Sequence, residues 1–380
     1  MQGDKQTNRI SFISGTILVI NLIAVLFLLS VYLSVYINPA RFALPAFAGI
    51  GYPVILIVNI LFIILWLLKR KKLALVSIIA VLLGWNHIGR LIQINQKNDI
   101  EHDKKTVKIL SYNIQNFVRQ NISNTKYIKN FENQTRITKF IESQKADIIC
   151  LQEVLYDRGN LQQFAEEFGR KNKTPYYYYK NYYKSKNPKL DGIAIFTKFP
   201  VIKKGFLEHD DKTIGIYNDM VIDKDTIRLY NLHLASIHFR KEEYEFISDL
   251  PNQQDQDVIK KHSLQVLSKL KTAFKKRGQQ VNIIKKHMEG SPYHVIICGD
   301  FNDTPSSYAY RKLSSGLTDA FVESGKGVGV TYAGENFPSF RIDYILHDEV
   351  FESRRFTRHK ISLSDHYPIT CVLYRKSEEN

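Results

Sequence analysis

The stretch "VIICGDFNDTP", residues 295–305, decides how this chain is read. An apolar run suited to a strand buried on both faces passes through Gly299 into Asp300, Phe301, Asn302 and Asp303. Inside a sheet an unpartnered carboxylate is penalised by several kcal/mol of desolvation. At a strand end it can be kept, provided other polar groups converge there. Gly299 lets backbones approach closely, while Asp300 and Asn302 point one way from alternate positions and Phe301 the other. Asp303, Thr304 and Pro305 suit a turn or a helix start.

Other strand-like segments end in the same manner. "TVKILSYNI" carries Asn113, "DIICLQEV" holds Glu153 near its end, and "TIRLYNLHLAS" presents His233. "RIDYILHD" sets Asp343 among apolar neighbours, and "LSDHYPI" puts Asp365 and His366 before a last strand, "YPITCVLY". Taken singly, each polar residue is a turn, a cap or a satisfied core group. Together they form a carboxylate, amide and imidazole set suited to a hard, oxygen-seeking cation and a general base. Between the strands lie amphipathic stretches, 131–146 and a long polar one over 257–288. This alternation predicts a layered α/β domain.

In order, "YNIQNF", "LQEV", "NLHL", "GDFNDTP", "RIDYIL" and "SDHYPI" resemble the endonuclease/exonuclease/phosphatase superfamily over residues 106–376. The resemblance implies a four-layer α/β/β/α sandwich, two mixed β-sheets face to face with helices outside. It also implies metal-dependent hydrolysis of phosphoester bonds, with Mg²⁺ as cofactor and Mn²⁺ as the alternative. Glu153 would be the main metal carboxylate, Asn113 would lie close to metal and phosphate, and Asp365 would complete the metal region. His366 would be the general base, held by Asp343; Asp300 and Asn302 would orient water and a phosphate oxygen. His233 would contact phosphate or protonate the leaving oxygen, with Asp191 as its acidic partner. Gln115 stands where the abasic-site repair branch has an acidic residue, which disfavours that role. The substrate is left as a lipid headgroup, a small phosphoester or nucleic acid. A catalytically silent binding domain of the same fold is the rival reading; every matched position nonetheless holds a competent residue.

The first hundred residues differ in kind, with 9 Lys/Arg and 2 Asp/Glu. Long uncharged runs predict transmembrane helices at about 11–36, 43–68 and 73–90, the third, uncharged from Leu73 to Gly89, at the short end of the spanning range. Hence residues 1–94 read as an all-α membrane domain of two to three spans, 95–105 as a polar linker and 106–376 as the catalytic domain. "KRKK", residues 69–72, marks the cytoplasmic side, and Lys5 and Arg9 agree. Three spans put the catalytic domain outside the cytoplasm, periplasmic in a bacterial inner membrane; two would leave it cytoplasmic. The bilayer is thus an expected partner, and no protein partner follows from the sequence.

Residues 101–380 carry 44 Lys/Arg against 35 Asp/Glu, a basic surface but not a polybasic one. "TPYYYYKNYYKSK", residues 174–186, suits an edge strand better than a nucleic-acid stacking platform. "GKGVGV", residues 325–330, fits no phosphate-loop pattern and reads as a surface loop. Cys150, Cys298 and Cys371 read as buried thiols, the first two neighbours if their strands pair.

Overall fold

Alternation along the quoted stretch sets the architecture. In the computed structural model, Ile296 and Cys298 enter one core while Val295 and Ile297 enter another. The structure describes residues 12–376 apart from 95, 101–103, 120–127, 130, 158–160, 184–188, 238, 240, 333 and 335–338. The same split recurs elsewhere: Ile109, Ile148 and Cys150 face the first core, whereas Leu110, Ile149 and Leu151 face a third. A strand with apolar residues on both faces has to be covered on both, so sheets stack on each other and helices close the outside.

The helices are α1 (Phe12–Ser34), α2 (Leu44–Ile50), α3 (Tyr52–Lys69), α4 (Lys71–Leu83) and α5 (Trp85–Leu91), followed by α6 (Phe131–Gln144) and α7 (Leu161–Asn172). After them come α8 (Lys241–Asp249), α9 (Gln256–Glu289) and α10 (Tyr308–Ser314). The strands of the two large sheets are β1 (Thr106–Asn113), β2 (Ile148–Asp157), β3 (Tyr176–Asn181), β4 (Lys189–Thr197), β5 (Val201–His209) and β6 (Lys212–Ile222). They continue as β7 (Asp225–His233), β8 (His294–Asp300), β9 (Thr318–Asp319), β10 (Asp343–His347), β11 (Phe351–Arg358) and β12 (Ile369–Arg375). One sheet has the order β11-β12-β1-β2-β4-β3 and the other β9-β10-β8-β7-β6-β5. Residues from α6 and α7 cover the first, and residues from α9 and α10 the second. The four-layer sandwich implied by the resemblance is therefore present.

Each sheet is antiparallel except for one parallel pair: β1 with β2, and β7 with β8. Parallel neighbours need a crossover, supplied by α6 in one case and by α8 and α9 in the other. Both pairs therefore present two C-terminal ends side by side, where functional groups gather in such sheets. Behind them a buried amide bridge joins the sheets. Gln152 Nε2 donates to Asn231 Oδ1 at 2.6 Å, and Asn231 Nδ2 donates to the carbonyls of Leu151 (3.1 Å) and Ala194 (2.8 Å). Buried amides without these partners would each cost about 1–3 kcal/mol, so the bridge fixes one alignment of the sheets.

Several expectations change. The segment 43–68 is broken at Gly51 into α2 and α3. The segment 73–90 is broken at Gly84 into α4 and α5, which are bent by 62°. Two helices, α1 and α3, are long and apolar enough to cross a membrane, with a third crossing if α4 and α5 count as one. A polar network ties them: Trp66 Nε1 donates to Asn21 Oδ1 (2.9 Å) and Asn21 Nδ2 to Ser77 Oγ (2.7 Å). Lys5 and Arg9 lie outside the described residues. Within the linker, the Lys97 carbonyl accepts from Arg355 N–H (2.9 Å) and the Asp99 carbonyl from Arg354 Nε (2.9 Å). Tyr176–Asn181 does form an edge strand; residues 184–186 of that stretch lie outside the described residues. Cys150 and Cys298 sit on strands of different sheets and meet across the central core rather than by strand pairing.

The helical unit also packs on the sandwich. Ser34 Oγ donates to the Ser306 carbonyl (3.2 Å), Phe47 meets Phe274 edge-on, Arg311 lies over Tyr36, and Arg341 Nη2 donates to the Arg90 carbonyl (2.9 Å).

Candidate active site

Strand register brings three of the expected residues into one row. His233 is paired with Asp300 across β7 and β8, and Asp300 with Asp343 across β8 and β10. Close packing at this end requires Gly299, whose φ is +132° and whose added Cβ would collide with the Leu232 backbone. Gly299→Ala is expected to cost about 3 kcal/mol, read as a fall in Tm of about 6–12 °C.

Asn113, last in β1, faces this row from the other sheet. Its Nδ2 donates to Glu153 Oε1 and to Asp300 Oδ2, both at 3.1 Å, so one amide bridges the sheets and two carboxylates. Glu153 reaches the amide because β2 carries an irregularity between Leu151 and Val154, where Glu153 has φ +52°. An extra residue of that kind turns a side chain off the strict alternation. Asn302, also left-handed at φ +52°, folds back so that its N–H donates to Asp300 Oδ1 (2.7 Å) and its Nδ2 to Asp300 Oδ2 (3.1 Å).

His366 precedes β12, and its Nδ1 donates to Asp343 Oδ2 at 2.9 Å. Its Nε2 lies 3.7 Å from Asp300 Oδ2, beyond hydrogen-bond range, which leaves that nitrogen for a water. Ser364 Oγ donates to the Asn113 carbonyl (2.8 Å) and lies 3.3 Å from Asp365 Oδ1, which brings Asp365 to the same corner. All eight expected residues thus come together.

One expected pairing is replaced. His233 Nδ1 meets the Tyr182 hydroxyl at 2.6 Å, in the role proposed for Asp191. That hydroxyl also accepts the Glu153 N–H at 3.0 Å. The other ring nitrogen, Nε2, lies 3.5 Å from Glu153 Oε1 and 3.7 Å from Asp300 Oδ2. Tyr182 thereby couples the Glu153 backbone to the His233 ring. It was hidden in a tyrosine-rich stretch with nothing to single it out. Tyr182→Phe is expected to lower kcat about tenfold and stability by about 1–3 kcal/mol, because the Glu153 N–H loses its acceptor and the His233 ring its partner; steady-state kinetics and thermal melts check both. Lys212 was missed too. Its Nζ lies 5.2 Å from the Tyr182 ring centre and 5.7 Å from that of Tyr183, within reach of the charges on Glu153, Asp191 and Asp300.

Electrostatics follow from burying four carboxylates together. Burial, with the charge of Asp365 adding, pushes Glu153 up to about 7. Burial also pushes Asp300 up to about 7, against the opposing charge of His366, and raises Asp365. For His366 burial favours the neutral ring, but Asp343 and Asp300 outweigh it and hold the imidazole well above its ordinary value. So much uncompensated negative charge fits a divalent cation. The donor set agrees, since carboxylate and amide oxygens predominate around Glu153, Asn113 and Asp365. Asp300, Asp343 and His366 place one ligand atom each within 4.8 Å of one another.

Two mixed sheets whose parallel ends join carboxylates to an Asp-held histidine define a hydrolase acting on phosphoester bonds, of a divalent-metal-dependent kind. Comparison with known proteins gives the family. Residues 110–366 match the model of the Endonuclease/Exonuclease/phosphatase family, and the chain belongs to it. Residues 14–91 match a domain of unknown function, DUF8431. No curated protein matches the sequence. Similar solved structures include a family protein from Leptotrichia buccalis, at 16% identity and TM-score 0.46, covering 71% of this chain and 100% of that one. Another is from Bacteroides thetaiotaomicron, at 17% and 0.47, covering 73% and 100%. The human nocturnin catalytic domain is at 18% and 0.47, covering 71% and 95%.

Proposed function

We propose that the chain is a membrane-anchored phosphoester hydrolase using Mg²⁺ or Mn²⁺, with residues 1–94 as its membrane unit and 106–376 as its catalytic domain. Glu153, Asn113 and Asp365 would hold the cation. This placement is preferred over Asp300, Asp343 and His366 because Asp343 Oδ2 and His366 Nδ1 already bind each other. When bound, the cation supplies neutralisation of phosphate charge. His366 takes a proton from water at Nε2, while Asp343 holds the ring through Nδ1–H and favours the imidazolium that forms. Asp300, fixed by Asn113 and Asn302, orients the water. His233 offers its Nε2–H to a phosphate or leaving oxygen. The 2.9 Å contact of His366 with Asp343, facing Asp300 and Asn113, carries the reading.

For the side of the membrane, the proposal draws on which helix ends meet the sandwich. Ser34, Tyr36 and Phe47 lie at one end of the helical unit, as does Arg90, and all four contact the catalytic domain. Lys69–Lys72 lies between α3 and α4, at the other end. By the charge rule this supports a catalytic domain outside the cytoplasm. The substrate class favoured is a lipid headgroup or small phosphoester met at the bilayer surface. A panel of sphingomyelin, phosphatidylinositol phosphates, a generic phosphodiester, RNA and plasmid DNA tests it, using full-length protein in lipid nanodiscs. Chelator-sensitive hydrolysis of a lipid or small ester is expected. Cleavage of nucleic acid alone, or no cleavage with either metal, would overturn the assignment.

A further inference from the structure

Helix α9 is 34 residues long, about 51 Å at 1.5 Å per residue. Its buried residues begin only at Ala273. Residues 256–272 therefore project past the sandwich, with α8 laid along them through Lys269–Glu243 (2.5 Å) and the Phe246 ring stacked on His262.

Two series at seven-residue spacing share one face of α9: Lys260, Leu267, Phe274 and Leu264, Lys271, Gly278. Each ends on a residue touching the helical unit. Phe274 meets Phe47 of α2 with ring centres 5.2 Å apart, and a Cβ on Gly278 would come within 2.5 Å of Asn38 Oδ1. Leu267 and Lys260 lie on that same face, about 10 and 21 Å further along the axis. At Leu264 and Leu267 the stripe is exposed, so the helical unit does not cover this part of it. Leu264 is 59% exposed and Leu267 45%. Residues 256–278 hold seven Lys/Arg and a single acidic residue, Asp257; of the seven, Lys269 and Arg277 are paired with Glu243 and Asp303.

We propose that the projecting half of α9 lies on the bilayer surface. Leu264 and Leu267 enter the boundary between headgroups and acyl chains, and Lys260 and Lys271 meet anionic headgroups. The proposal rests on the reading of the helical unit as membrane-embedded. The root of this arm is Ala235, two residues past His233. Its N–H donates to Gln280 Oε1 and its carbonyl accepts from Arg277 Nη1, both at 2.9 Å. Docking the arm thus holds the His233 strand end at a set height above the lipid.

Single cysteines carrying a fluorophore, introduced into full-length protein in vesicles of phosphatidylglycerol and phosphatidylcholine, test this; the native Cys150, Cys298 and Cys371 are buried. Nitroxide-labelled lipid is expected to quench a label at Leu264→Cys several-fold more than one at Gln265→Cys, in the same turn but facing away. Leu26→Cys reports the embedded helices. Quenching at Leu26 with equal, weak quenching at 264 and 265 overturns the arm and leaves the embedding intact. Loss of quenching at Leu26 overturns both. Shielding of position 264 by an added oligonucleotide, without lipid quenching, overturns the proposal in favour of a nucleic-acid contact.

Discussion

Replacing His366 by alanine is expected to reduce kcat by about 10³-fold with the fold intact, as circular dichroism would report. A positioned general base contributes about 10²–10⁴-fold, and the His366 imidazole is held by the buried Asp343 carboxylate at 2.9 Å. Near-normal turnover by the variant would remove His366 from the mechanism. Asp343→Asn gives a sharper readout. Asp343 stabilises the protonated ring, so its loss lowers the His366 pKa and lets the neutral base persist to lower pH. The acid limb of the kcat/KM profile should therefore move down by about one unit. A lower rate with an unmoved limb would mean that Asp343 only packs against the ring.

Glu153→Gln is the second large effect. The substitution keeps the size and the bond to Asn113 but removes the charge that would hold a cation. Titration calorimetry is expected to find Mg²⁺ affinity reduced by about 10²-fold or more. Turnover should fall about 10³-fold, since a metal contributes several kcal/mol of charge stabilisation and each 1.36 kcal/mol is tenfold. Asp343→Asn should leave the affinity within about tenfold, because that carboxylate serves the histidine ring. The reverse ranking would move the cation to Asp300, Asp343 and His366.

Much of the site was legible because strand ends tolerate polar groups that strand interiors reject. Asn113, Glu153, His233, Asp300 and Asp343 could each be found by asking where an apolar run stops. What stayed hidden depends on contacts between distant segments. The irregularity in β2 that turns Glu153 leaves no mark in "IICLQEV". Tyr182 looks like its neighbours until His233 and the Glu153 N–H arrive from elsewhere. Gln152 and Asn231 read as ordinary polar residues beside catalytic ones, yet they join the sheets. Strands β5 and β11 each hold two consecutive basic residues, Lys203–Lys204 and Arg354–Arg355, which interrupt any apolar alternation. In the N-terminal part, hydropathy located the helices but not the break at Gly84. Nor could it foresee that Ser34 and Arg90 grip the sandwich, which needs facing residues some 270 and 250 positions away.

The most direct test is anomalous diffraction from crystals grown with Mn²⁺. A single peak about 2.1 Å from a Glu153 carboxylate oxygen, in the cleft that His366 lines, is the result expected. A peak seated instead between Asp343 and His366, or no peak at saturating Mn²⁺, would contradict the account.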